Sequence, residues 1–159
     1  MRAPIVLIIC LGLSGCATPY QEMGYIGGVS ATQVTDTNFR ISARGNSFTD
    51  PAIVQDYVML KAAETAVEHG AKFFVVLSSA DASRVATMTT PGTAQTTLVG
   101  STAITSYSPP GQHEFYMPGQ DIFIRLVAPG EKPPTGAVPA EEIIRHIGGR
   151  VKMASLKRG

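Results

Sequence analysis

The sequence predicts an α+β domain: a small mixed sheet built on a β-α-β unit, with one long helix packed on it and a short C-terminal helix. Three stretches carry that expectation. Residues 39–44 alternate apolar Phe39, Ile41 and Ala43 with polar Arg40, Ser42 and Arg44, the period of a half-buried strand. A helix follows, opened by Asp50-Pro51 and closed at Gly70. Residues 72–77, Lys-Phe-Phe-Val-Val-Leu, are then a continuous apolar run whose length and β-branching suit a central strand.

The chain begins with one positive residue, Arg2, and an apolar segment over residues 5–13 that ends in Leu13-Ser14-Gly15-Cys16. This is the layout of a secretory signal. Its apolar core of about ten residues is too short to cross the hydrocarbon layer as a helix, which takes about twenty. The order Leu-Ser-Gly-Cys resembles the lipobox of bacterial lipoproteins, and an Ala-x-Ala-like site around Ala17 is a poorer fit. The resemblance implies that residues 1–15 are a signal peptide cut between Gly15 and Cys16. It also implies a diacylglycerol on the Cys16 thiol and an acylated amino group. Two or three acyl chains anchor stably, at about 0.8 kcal/mol per buried methylene. Lipoproteins kept at the inner membrane commonly carry Asp after the cysteine; Ala17 implies instead an outer-membrane location, lipid-anchored and facing the periplasm.

Removing residues 1–15 leaves 144 residues, the size of one domain, assigned to residues 36–148. Lys plus Arg and Asp plus Glu balance at twelve each in that mature chain, which argues against a nucleic-acid partner. Cys10 leaves with the signal and Cys16 is consumed by lipid, so no disulfide is expected. His69, His113 and His146 share no metal-ligand spacing, and no Gly-x-Ser-x-Gly elbow occurs. The expectation is a protein without catalytic residues, metal or cofactor, and not an enzyme.

Residues 16–35, rich in Gly, Ser and Thr, read as a lipidated flexible tether. Tyr20 and Tyr25 in it are either headgroup-level aromatics or ordinary linker residues. After the strand over 39–44, Gly45-Asn46-Ser47 breaks the pattern. Asp50 then caps the helix and Pro51 takes its first position, where a missing amide costs nothing. The helix runs to about His69 and stops at Gly70. Ile53, Tyr57, Leu60, Ala63 and Val67 share a face at 100° per residue and are the expected core side. Glu64 falls near the middle of that face, where a carboxylate needs a partner. Arg44 and Lys61 are the candidates, unless Glu64 sits at the edge of the stripe and reaches solvent. The strand over 72–77 follows; if it neighbours the first strand in parallel, the crossover is right-handed.

Residues 81–108 are dominated by Thr, Ser, Ala and Gly. Residues 85–89 and 96–99 are expected to pair as an edge hairpin across a Pro91-Gly92 turn, with a partner-binding loop as the alternative. A loop at 107–111 and a short apolar segment at 115–117 precede residues 121–127, which alternate as a strand. Residues 129–139 read as a Pro/Gly linker. Residues 140–147 form a short helix, acidic at its start and basic at its end as the dipole favours, ended by Gly148-Gly149. Residues 149–159 are a basic tail; Arg145, Arg150, Lys152, Lys157 and Arg158 occur with no acidic residue after Glu142. Such a tail either contacts anionic envelope groups or is simply solvated.

Gly24-Tyr25, Arg44-Gly45-Asn46 and Leu60-Lys61-Ala62-Ala63-Glu64 ahead of Gly70 and Phe73-Phe74 together resemble a family of small uncharacterised Gram-negative envelope lipoproteins. That family carries a Gly-Asn turn and a Leu-Arg/Lys-Ala-Ala-Glu helix. The resemblance spans residues 13–80, Lys61 stands where arginine is common, and no catalytic residue is carried over from it. The expected role is structural or interactive: attachment to the membrane through lipid, with another envelope protein or the cell wall as partner. The alternative is a small-ligand module centred on Glu64, Arg44 and Asn46.

Overall fold

The computed structural model describes residues 17–151. Gly15, Cys16, the signal segment and the tail residues 152–159 lie outside the described residues. In chain order the elements are β1 Gly28–Gln33, β2 Asn38–Arg44, helix α1 Pro51–Glu68, β3 Phe73–Asp81, β4 Arg84–Thr90, β5 Thr93–Val99, β6 Thr102–Ser108, β7 Gly111–Met117, β8 Gly119–Leu126, β9 Val138–Pro139 and helix α2 Ala140–Ile143. A π-helical turn over Ile144–Gly148 continues α2.

The main sheet has the order β1-β2-β8-β3-β9, and every ladder between these strands is antiparallel. The β-α-β unit is therefore split: β2 and β3 run in the same direction, but β8 lies between them. The central strand is β8 rather than β3. Alternation decides this. Ile122, Ile124 and Leu126 of β8 are buried beside Phe39, Ile41 and Ala43 of β2, whereas β3 buries only Phe74 and exposes its second half.

Both ends of α1 match the sequence signals. The Asp50 carboxylate accepts from the Ala52 amide at 2.8 Å. At the other end Gly70 takes φ +74, its amide bonds the Val67 carbonyl, and the Ala71 amide bonds that of Ala66. This is a Schellman closure. The expected face is only part of what is buried. Tyr57, Leu60 and Ala63 are buried, Ile53 partly so, and Val67 is exposed; Val54, Val58, Ala62 and Ala66 are buried as well. A helix packed on two sides has no single stripe. The row Val54, Val58, Ala62, Ala66 serves the sheet, while Leu60 meets the C-terminal segment, where an added Cβ on Gly148 would lie 3.6 Å from its side chain. That is ordinary van der Waals contact, and Gly148-Gly149 does not end the helix: Val151 is buried and Arg150 pairs with Asp56 at 2.8 Å.

The flexible tether is corrected. Residues 28–33 form β1, paired along their whole length with β2, and the chain is seated on the domain from Thr18 onward. The Pro/Gly linker likewise ends in β9, which pairs with Phe73 and Phe74.

The Thr-rich region is a hairpin of a different kind from the one expected. Residues 85–89 pair with residues 112–116, and residues 96–99 pair with residues 102–105. Its turn is at Gly100-Ser101, with Gly100 at φ +64 as the first position of a two-residue hairpin turn requires. Register places Pro91 opposite Pro110, so the ladder lapses there without the chain turning back. From Ser78↔Phe123 through Arg84↔Met117 to Val99↔Thr102, one unshifted register runs out of the sheet into a two-stranded arm. Every residue of β5 and β6 is exposed.

Candidate functional site

One end of the sheet is marked by the pairs Gly28↔Arg44 and Arg44↔Gly119. Thr18 is seated at that end and fully buried. Its amide donates to Thr49 Oγ1 at 2.9 Å, and its hydroxyl donates to the Ile26 carbonyl and accepts from the Asn46 amide, both at 2.9 Å. Its carbonyl accepts from the Tyr57 hydroxyl at 3.1 Å. Every polar group of a residue two positions after Cys16 is thus used to hold the chain down. Gly27 makes the approach possible: it adopts φ +105, and a Cβ there would lie 2.4 Å from the Arg44 carbonyl oxygen.

Around this point the surface is apolar and exposed. Gly24 and Gly27 exchange backbone hydrogen bonds at 3.0 and 3.2 Å, closing a tight turn with Tyr25 and Ile26 at its tip. Tyr25 is fully exposed and Ile26 is 55% exposed. Phe48, 68% exposed, sits on the turn that Asn46 shapes. Asn46 Oδ1 accepts from the Phe48 amide at 3.1 Å and from Thr49 Oγ1 at 2.9 Å.

The predicted polar site is not one site. Arg44 lies on the sheet face away from α1 and holds Asp121 through both guanidinium nitrogens, at 2.7 and 3.1 Å. Arg44's hydrogen bond keeps the Asp121 carboxyl below the usual carboxylate range. Asn46 belongs to the turn just described. Glu64 accepts from the Tyr20 hydroxyl, so Arg44 is not its partner. Nor is Lys61, which reaches Glu22 at 2.8 Å. The reason is the sheet itself: β2 presents Arg44 to one face and α1 covers the other. Tyr20 packs edge-on against Tyr57, ring centres 5.2 Å apart. Burial, then the bond to Glu64, pushes the Tyr20 phenol well above its ordinary pKa. Glu64 lines a cleft of about 350 Å³ with Tyr20, Leu60, Ile144 and Val151, and neither Arg44 nor Asn46 reaches it.

Thr18, Phe48 and Asp121 are the site residues that sequence reasoning missed, and Tyr20, expected in the tether, is instead bonded to Glu64. A lone aromatic in the polar turn Gly45-Asn46-Ser47-Phe48 was the available signal for the exposed surface. Asp121 needed the register Ser42↔Asp121, which no local pattern supplies. Among the described residues, no group of three His, Cys, Asp or Glu is placed to hold a metal ion, and no helix is long and apolar enough to cross a membrane. The chain matches no known family model, no curated protein and no solved structure.

Proposed function

We propose that this chain is a lipid-anchored protein of the bacterial envelope, attached through Cys16, with its domain held directly on the periplasmic face of the outer membrane in a structural or interaction role. The observation that carries it is the seating of Thr18. A chain reaches about 3.5 Å per residue at most, so Thr18 lies within about 7 Å of Cys16. Acylation there presses one defined face of the domain to the bilayer. That face presents Tyr25, Ile26 and Phe48, and aromatic side chains favour the headgroup region. The ligand-module reading draws less support, because Arg44, Asn46 and Glu64 are apart and each is bonded within the fold.

The test is Cys16→Ala in the native host. Palmitate incorporation is expected to vanish and the protein to leave the outer-membrane fraction or persist as uncut precursor. Labelling that survives the substitution refutes the anchor. A Tyr25→Ser, Phe48→Ser double variant keeps its label, and an introduced headgroup-depth probe on residue 24 becomes more water-accessible.

A further inference from the structure

Among the described residues, the arm formed by β4, β5, β6 and β7 contributes none to the buried core, and its composition is unlike that of a water-exposed ribbon. Between Arg84 and Glu114 there is no Asp, Glu, Lys or Arg. Soluble proteins guard exposed strand edges with charge, shortness or cover, since an open edge is a template for pairing. Here the edges are long, uncharged and uncovered. A lone two-stranded hairpin is also marginal in water.

The unbroken register sorts the arm into two faces. One carries Ala86, Met88, Ala94 and Leu98 on the outgoing strands and Ala103, Tyr107 and Phe115 on the returning ones, with Thr90, Thr96, Thr105 and His113 among them. The other carries mostly Thr, Ser and Gln, including Thr87, Thr93, Thr97, Thr102, Ser106 and Gln112, with Val99 and Ile104 near the tip. Val85 and Tyr116 also lie on the second face at the base of the arm, and the bias of apolar residues to the first face and of Thr, Ser and Gln to the second is the direction expected of a strand between lipid and water. The length fits as well. From Ala86 to Leu98 the strand rises about 40 Å at about 3.4 Å per residue, which at a tilt of about 40° gives about 30 Å of depth, enough for the ~25 Å apolar band of an outer-membrane barrel. The leading tip, Gly100-Ser101, brings no charge across.

The arm leaves the sheet beside Gly119, at the same end as Thr18 and the exposed Tyr25, Ile26 and Phe48. The lipid and the arm are therefore on one side of the domain. A single hairpin cannot enter hydrocarbon, because its two open edges would be unbonded there. Further copies remove that obstacle.

We propose that the arms of several copies of this chain join edge to edge and close a membrane-spanning β-barrel, with the Met88, Leu98, Tyr107 face toward lipid and the Thr-rich face toward the lumen. An eight-stranded barrel is filled by its own side chains and an aqueous lumen takes about sixteen strands, which sets the assembly at about eight copies. The interruption at Pro91-Gly92 and Pro109-Pro110 breaks two rungs; the ladder resumes on both sides in the same register. The orientation rests on the lipid-anchored reading above.

The experiment uses the mature, acylated protein reconstituted into phosphatidylethanolamine and phosphatidylglycerol vesicles. Single cysteines replacing Leu98 and Thr97 carry an environment-sensitive dye. The dye at 98 is expected to report lipid and to resist iodide, and the dye at 97 to report water. Calcein release is expected to fall at least tenfold for Leu98→Lys and no more than about twofold for Thr97→Lys, with ion selectivity shifted toward anions; circular dichroism checks that the domain is intact in each. If both dyes are quenched equally by iodide on vesicle-bound, acylated protein, the barrel is refuted and the anchor stands. A dimer paired through the arm in solution, without release from vesicles, refutes it too. A free Cys16 thiol on protein extracted from the membrane with its arm inserted refutes the anchor and leaves the barrel standing.

Discussion

Thr18→Val tests whether the segment after Cys16 is part of the domain. The substitution keeps the shape of the side chain and removes its hydroxyl. That hydroxyl serves two backbone groups, the Ile26 carbonyl and the Asn46 amide, each at 2.9 Å in a part-buried bond. A buried polar group left without a partner costs about 1–3 kcal/mol, so two together cost about 3 kcal/mol. For a domain of this size that lowers the melting temperature by about 10 °C, at about 3–4 °C per kcal/mol. The assay is thermal unfolding by circular dichroism on purified mature protein. Thr35→Val is the control: its hydroxyl accepts one exposed bond from the Asn38 amide, and its expected effect is within about 0.5 kcal/mol. A Thr18→Val protein that melts within about 2 °C of wild type refutes the reasoning. The segment would then be a tether, and no fixed face of the domain would be held to the bilayer.

Gly27→Ala is expected to destabilise by about 3 kcal/mol or more, since it combines φ +105 with a Cβ 2.4 Å from a carbonyl oxygen; wild-type yield and urea midpoint would contradict this. The Asp121 carboxyl is held low by Arg44, so its contribution is present above the ordinary carboxylate pKa near about 3.9 and is lost as pH falls through the lower folded value. Asp121→Asn should therefore flatten the acid limb of a urea-midpoint profile as pH falls from about 5 through the ordinary carboxylate value and below it, and an unchanged limb counts against the pair. Tyr20 is shifted the other way, by burial first and by Glu64 second. Its contribution is present below the ordinary phenol pKa of about 10 and fades above it. In ultraviolet titration, Glu64→Gln should bring Tyr20 ionisation to lower pH with the fold intact; no movement would detach Glu64 from Tyr20.

What could be read from the sequence was whatever is decided locally. Asp50, Pro51 and Gly70 bound α1 because caps act within a turn, and Ile122, Ile124 and Leu126 alternate visibly in β8. β1 was missed because Gly28, Ser30 and Thr32 have little apolar character, and it exists only by pairing with β2. The arm was folded at the wrong turn because Pro91-Gly92 is a strong local signal. Gly100-Ser101, flanked by Leu98-Val99 and Thr102-Ala103-Ile104, allows a longer continuous register. Glu64 stood either within the buried stripe or at its edge; it is half-buried beside a cleft, and its partner came from Tyr20, 44 residues away in sequence. Long-range pairing of this kind leaves no mark in spacing.

The most direct measurement is the intact mass and N-terminal peptide of the protein extracted from outer membranes. Expected is a chain beginning at Cys16 and carrying two or three acyl chains on that residue. A mature N-terminus elsewhere, or a free Cys16 thiol, contradicts direct attachment of the domain to the bilayer.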